Sequence, residues 1–410
     1  MRSIDLEIPL PKEVQLALDI LDQNGFKAYI VGGAVRDFLM GKVPHDFDIA
    51  SPSTPNQTMR CFPGFNINRS GLKHGTVRVI IHHNPVEITT FRIEGKYSDH
   101  RHPDSVGFTT EPEADSRRRD FTINAFYYRN GKVYDFSSGF DDLKSKTIRA
   151  IGNPRARFDE DALRILRALR FTAELDFSID PATARAMAES AHLLFDISEE
   201  RIESEVLRIA KYPTFYSVIH KYPDIFKAVF KDLSEGFIAS LPLEASSDPF
   251  ANLAGVFYAD GISSAQAHPI LRELRFSASN SKAIESLLDI DESFTLEDIR
   301  DPLRFRLLLL QSDPLNPEVV VRYLKVRDQI NLRNIESYEE ILSRAEDPEL
   351  IANIPTSTKD LKVTGNDLKR LGFKSGPSFK STLSELLLLV NQLKVGSDRD
   401  SQLEWLKSKK

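Results

Sequence analysis

Cysteine is almost absent. Cys61 is the single one in 410 residues, so no disulfide can form within the chain and no cysteine-ligated zinc site is available. Long apolar runs are missing too. The opening stretch MRSIDLEIPLPKEVQLALDI has acidic residues early and no uninterrupted apolar segment, and no later window approaches the ~20 apolar residues of a spanning helix. The sequence therefore predicts neither a signal peptide nor a membrane partner, and a cytoplasmic protein. Glycine and proline, at 19 and 22, are not in excess, and with 41% hydrophobic and 28% charged residues the composition excludes a disordered chain. Net positive charge is lacking: the formal balance is −6, which speaks against a surface coated with Lys and Arg for phosphate neutralisation. The charge is unevenly spread, however. Residues 143–172 hold eight Lys or Arg against three Asp or Glu, and Arg117, Arg118 and Arg119 form a further basic run, so an acidic chain can still carry a basic groove.

A length of 410 residues predicts about two to four domains. The first part has α+β character. An amphipathic helix over Val14–Asn24 is ended by Gly25, a buried strand follows over Ala28–Val31, Gly32 and Gly33 turn the chain, and a short helix covers Ala34–Met40. Phe47–Ala50 reads as a strand, and Thr76–His82 with Pro85–Phe91 as a hairpin around His83 and Asn84. These elements predict a small mixed or antiparallel sheet. From about Asp141 helical periodicity takes over, with helices expected over Glu160–Ala173, Pro181–Ser190 and Ser198–Ala210, the last capped by Ser198. The rest reads as all-helical, broken near Asp248, 313–317 and 354–360.

Three blocks carry chemistry. In YIVGGAVRDFLMGKVPHDFDIA, residues 29–50, Asp46 and Asp48 stand two apart at the start of a strand, so both side chains project from one face. Paired carboxylates suit Mg²⁺, which prefers hard oxygen ligands and completes its shell with substrate phosphates; such ions can activate a hydroxyl and stabilise departing pyrophosphate. A bare Asp-x-Asp is also a common turn feature, but here Gly32 and Gly33 lie between strand and helix. There the missing Cβ lets phosphate approach backbone N–H groups, and Arg36 can add a bidentate contact. A dinucleotide fold is excluded by the absence of Gly-x-Gly-x-x-Gly and of an acidic residue near 50–55. Glu87 is either a third ligand or an outward-facing strand glutamate. His45 lacks the companion residues of a phosphohydrolase site.

In the second block, RRRDFTINAFYY at 117–128, Arg118 and Arg119 are expected to reach a triphosphate, Asp120 to orient one of them, and Asn124 to meet a ribose hydroxyl. In the third, NPRARFDEDALRILRALRF, Asp161 and Arg164 are expected to share one helix face, with Arg167 and Arg170 following. A carboxylate that accepts from an exocyclic amine, beside a guanidinium that donates to a ring nitrogen or carbonyl, complements the Watson–Crick edges of cytosine and adenine. Guanine and uracil present the inverse pattern and would leave buried groups unpaired. Taken alone, the pair reads as an ordinary i, i+3 salt bridge.

With the three blocks in this order, the sequence resembles the class II tRNA nucleotidyltransferase (CCA-adding enzyme) and bacterial poly(A) polymerase family across residues 25–210. The resemblance implies a polymerase β-type head (1–142) and a helical neck (143–210), body (211–300) and tail (301–410). It makes Gly33 and Arg36 triphosphate contacts, Asp46 and Asp48 metal ligands, Arg118 a nucleotide-binding arginine, and Asp161 with Arg164 the amino-acid template for the incoming base. Ile93–Phe108 looks like the loop needed for terminal A addition. The resemblance puts Asp115 in the place of the aspartate of the family's Asp-Leu-x-Arg-Arg motif. The implied reaction adds C and A to the 3′ end of tRNA from CTP and ATP; the alternatives are A-only addition, poly(A) synthesis, and a catalytically silent RNA-binding protein.

Overall fold

Alternating polar and apolar residues build one mixed sheet in the first of two compact units, Met1–Ile197. The computed structural model describes all residues except His45, 96–104, 231–232, 235, 313–314, 334–336, 349–353, 374–375 and 410. His45, and most of the segment expected to act in A addition, therefore lie outside the described residues. The sheet comprises β1 (Arg2–Asp5), β2 (Tyr29–Val31), β3 (Asp48–Ser51), β4 (Asn66–Asn68), β5 (Thr76–Ile81) and β6 (Asn84–Thr90). A separate ribbon is formed by β7 (Arg92–Glu94) and β8 (Val106–Phe108), and β9 (Phe126–Arg129) with β10 (Lys132–Asp135) completes the sheet. Its order is β1-β10-β9-β2-β3-β6-β5-β4, and only the β3–β6 pairing within it is parallel. Eight strands among the described residues exceed the small sheet expected.

The difference has a local cause. The β9–β10 hairpin was not anticipated, although its turn is Asn130–Gly131, both with positive φ (49° and 71°). That is the type I′ geometry which Asn-Gly adopts most readily. The β5–β6 hairpin was anticipated but turns one residue earlier, at His82 and His83 (φ 47° and 69°), because Ile81 pairs with Asn84.

The sheet's two faces differ. On one, Ile30, Ile49, Val77, Val79, Ile88, Phe126 and Val133 form the main core with α1 (Lys12–Gln23) and α3 (Pro55–Cys61). Each such fully buried side chain contributes about 1.5–3 kcal/mol. Helix α3 starts in a capping box between Thr54 and Gln57, which satisfies donors that a helix start leaves open. The opposite face carries the site. Between β2 and β3 runs α2 (Gly33–Leu39).

Helix α4 (Pro112–Ser116) lies between β8 and β9, and past the sheet come α5 (Gly139–Lys144), β11 (Thr147–Ile148), α6 (Pro154–Glu160), α7 (Leu163–Leu175), β12 (Ser178–Ile179) and α8 (Pro181–Ser190). The parallel pair β11–β12 is strand where only helix was expected. The single helix expected over Glu160–Ala173 is two: Asp161 ends α6 in an extended conformation (φ −149°, ψ 101°). Its carboxylate then accepts from the Leu163 N–H at 3.2 Å, satisfying a donor in the first turn of α7.

The second unit, Ser198–Lys410, is helical throughout its described secondary structure. The helix expected from Ser198 spans Glu199–Ala210, but Ser198 makes no side-chain cap bond. The helix Pro249–Ala259, capped by Asp248, packs against Ala278–Leu288 and Pro317–Ile330. A smaller cluster around Val363, Leu368, Leu386, Val390 and Leu406 anchors the C-terminal helices.

Candidate active site

Strand register sets one row of side chains across the sheet. Tyr127 of β9 pairs with Val31 of β2, Val31 with Asp48 of β3, Asp48 with Glu87 of β6, and Glu87 with Arg78 of β5. Directly opposed residues share a face, so two carboxylates stand side by side at the β3–β6 pair. Arg78 donates through Nε to Glu87 Oε1 at 2.9 Å, so the glutamate is held toward β5 while remaining partly exposed. Asp46 lies just before the strand and is exposed.

Asp48 keeps accessible surface, yet surrounding protein shields its carboxylate from bulk water. This shielding, then the negative charge of Glu87, pushes its pKa up; Arg119 pulls it down and Asp46 pushes it up again. Gathering negative charge in one place costs free energy unless a cation joins it. Oxygen donors alone, with accumulated negative charge, fit a hard divalent ion. No group of three or more potential ligands meets at one point among the described residues, which leaves Asp46 and Asp48 as a pair with Glu87 alongside.

The glycine turn is formed as the sequence requires. Gly32 has φ 75°, ψ −136°, a region that is essentially open to glycine alone, and it places Gly33 at the first turn of α2. Arg119 lies over this turn: a Cβ on Gly32 would sit 3.6 Å from its Nη1. Arg118 and Arg119 are both held by Asp115, which is fully buried, with Arg118 Nε at 2.8 Å and Arg119 Nη2 at 3.3 Å. Burial opposes ionisation of Asp115, but Arg119, Arg118 and the Tyr127 hydroxyl outweigh it and hold its pKa below the usual carboxylate range.

Other expected residues are placed differently. Arg36 does not stand at the surface: it is 4% exposed, donates to Asn124 Oδ1 at 2.8 Å and Asp37 Oδ1 at 2.8 Å, and packs on the Phe171 ring. Asn124 is correspondingly buried. Asp120 accepts from Arg167 through Nε at 2.8 Å and Nη2 at 2.5 Å. Asp161 lies outside α7, so it and Arg164 do not share a helix face. Arg164 Nη1 donates to Glu160 Oε2 at 2.6 Å and to the Arg157 carbonyl at 3.0 Å. Arg170 packs over Phe171 with its Cζ 4.7 Å from the ring centroid.

Comparison with known proteins agrees with this geometry. Residues 28–149 match the model of the poly A polymerase head domain, and residues 176–222 that of a probable RNA and SrmB-binding site of polymerase A. A CCA-adding enzyme of Streptococcus gordonii is 33% identical over 98% of this chain and 99% of its own. The chain belongs to the family of CCA-adding enzymes. A CCA-adding enzyme of Lactococcus lactis is 48% identical over 47% of this chain and 50% of its own, so similarity is concentrated in part of the length. The crystal structure of the Bacillus stearothermophilus CCA-adding enzyme, solved with CTP, has 27% identity and a TM-score of 0.71, covering 98% of each chain. The Thermotoga maritima CCA-adding enzyme, at 20% identity and TM-score 0.61 over the whole of both chains, has the same fold. The head is thus a nucleotidyltransferase domain with a mixed sheet, followed by a mostly helical remainder, and enzymes of this family use a divalent metal ion.

Within that family fold, the residues that sequence reasoning passed over are those that hold others. Tyr127 and Glu160 lie inside blocks already singled out, but nothing in their spacing shows that they meet Arg119 and Arg164. Asp115 was marked only by its place in the motif.

Proposed function

We propose that this CCA-adding family member adds C and A nucleotides to the 3′ end of tRNA, without a nucleic-acid template. The RNA 3′-hydroxyl attacks the α-phosphate of CTP or ATP, and pyrophosphate leaves. The observation that carries this reading is the carboxylate pair Asp48 and Glu87, with Asp48 opposite Val31 where the glycine turn begins, in a chain similar along its whole length to CCA-adding enzymes.

In this reading Asp46 and Asp48 hold Mg²⁺, with Glu87 supporting them. The ion would supply charge to activate the hydroxyl and neutralise the departing pyrophosphate. The Gly32–Gly33 turn receives the triphosphate through the Gly33 N–H, because the Gly32 N–H already donates to the Phe126 carbonyl at 3.3 Å, and Arg118 and Arg119 join it. Arg36 and Asn124, joined to each other, fix α2 against the turn Thr122–Asn124 and act on nucleotide through that turn. Asp120 and Arg167 orient the arginine segment, while Asp161 and Arg164, with Arg170 nearby, read the base edge. The helical second half binds tRNA by shape and phosphate contacts, with the division into head 1–142, neck 143–210, body 211–300 and tail 301–410. Among the described residues no helix is long and apolar enough to cross a membrane; the proposed site of action, where tRNA is processed, is the cytoplasm.

The test is extension of tRNA lacking its terminal nucleotides, with CTP and ATP supplied singly and together. Addition that stops after three nucleotides is expected. Long A tracts would instead indicate a poly(A) polymerase, incorporation of A alone onto tRNA ending in CC an A-adding enzyme, and no incorporation a silent RNA-binding protein.

A further inference from the structure

We propose that Tyr127 is a positioning residue: its buried hydroxyl fixes the Arg119 guanidinium between the glycine turn and Asp48, where a nucleoside triphosphate is received. The inference rests on the proposed function and deepens it. Tyr127 is fully buried in β9, on the same sheet face as Asp48 with Val31 between them. Its ring is held from three sides by Tyr29, Phe91 and Phe136, at centroid distances of 6.0, 6.2 and 5.6 Å. Packing alone would be met by phenylalanine, whereas a buried hydroxyl is costly unless its hydrogen bonds are made.

Here they are made in one direction. The hydroxyl donates to Asp115 Oδ2 at 2.6 Å and accepts from Arg119 Nε at 3.0 Å, while Arg119 Nη2 reaches the same carboxylate oxygen at 3.3 Å. Two of the three guanidinium nitrogens are thereby fixed from the protein side, and the third, Nη1, faces Gly32 at the 3.6 Å approach described above. An arginine already immobilised in the orientation an anion needs loses less freedom when the anion arrives. Because Arg119 sits at the phosphate turn rather than at the base-reading residues, its effect is the same for either nucleotide.

The test is calorimetric binding of ATP and of CTP, each with Mg²⁺, to wild-type protein, Tyr127→Phe, Arg119→Lys and the double variant, with urea unfolding alongside. Tyr127→Phe is expected to weaken both nucleotides by about tenfold and by the same factor, and the double variant to bind no more weakly than Arg119→Lys alone. Wild-type affinity in Tyr127→Phe overturns the proposal, whatever happens to its urea midpoint. So does loss for one nucleotide only, or additive losses in the double variant. Wild-type protein that binds both nucleotides but extends no RNA sinks the proposed function and leaves this inference to be decided by the dissociation constants; wild-type protein that binds neither overturns both.

Discussion

Asp120 and Arg167 are joined by two hydrogen bonds, 2.8 and 2.5 Å long, across 47 residues of sequence. The pair fastens the segment carrying Arg118 and Arg119 to α7, which carries Arg164. Burial opposes ionisation of Asp120, but Arg167 and the Phe121 N–H outweigh it and lower its pKa. A carboxylate whose native pKa lies below its unfolded value of ~3.9 stabilises the fold above that pH, and the contribution is lost as pH falls through the native pKa. Asp120→Asn is therefore expected to cost on the order of 2–3 kcal/mol at pH 7. The gap from wild type should shrink on acidification toward pH 3, measured by urea unfolding across that range; a constant gap would mean that ionisation contributes nothing.

Asp48 has the opposite sign. Its pKa is raised, so ionisation at neutral pH costs the fold free energy, and removing the charge relieves it. Asp48→Asn should unfold at slightly higher urea than wild type while losing roughly a thousandfold in nucleotide incorporation. Retained turnover would remove Asp48 from the chemistry.

Gly32→Ala tests the turn itself. At φ 75°, ψ −136° a side chain is strained by about 1–3 kcal/mol, and the new methyl would stand against Arg119 Nη1. Lower stability and weaker ATP and CTP binding are expected together, read by urea unfolding and calorimetry. A variant as stable as wild type would show that the turn relaxes elsewhere.

Base reading is tested at Asp161. Asp161→Ala should lower the preference for CTP over UTP by about tenfold to a hundredfold, the scale of one or two lost base-edge hydrogen bonds. It should also cost a few tenths of a kcal/mol or more through the lost Leu163 N–H contact. Unchanged CTP/UTP selectivity in an active variant would assign Asp161 to helix capping alone.

In the helical half, Gly255→Ala should destabilise by about 1–3 kcal/mol, because its Cβ would fall close upon Tyr216 Oη and Val326 Cγ1. Thermal and urea unfolding of the variant check this, and wild-type stability would mean that Tyr216 moves aside at little cost.

What the sequence by itself determined is what near neighbours decide. The Gly32–Gly33 turn, the carboxylates before and at the start of β3, the helical second half and the helix Pro181–Ser190 follow from periodicity, caps and backbone freedom, each of which acts over a few residues. Even the Asn130–Gly131 hairpin had a local signal. Only the tertiary structure decided which distant side chains meet. Asp48 faces Glu87, Arg36 turns inward to Asn124, and Asp120 takes Arg167, because strand register and helix placement bring segments 39, 88 and 47 positions apart into contact. A one-residue slip between β3 and β6 would send every side chain of one strand to the other face. The chemistry of the groups is thus written in residue types, while their convergence depends on a register that no single segment carries.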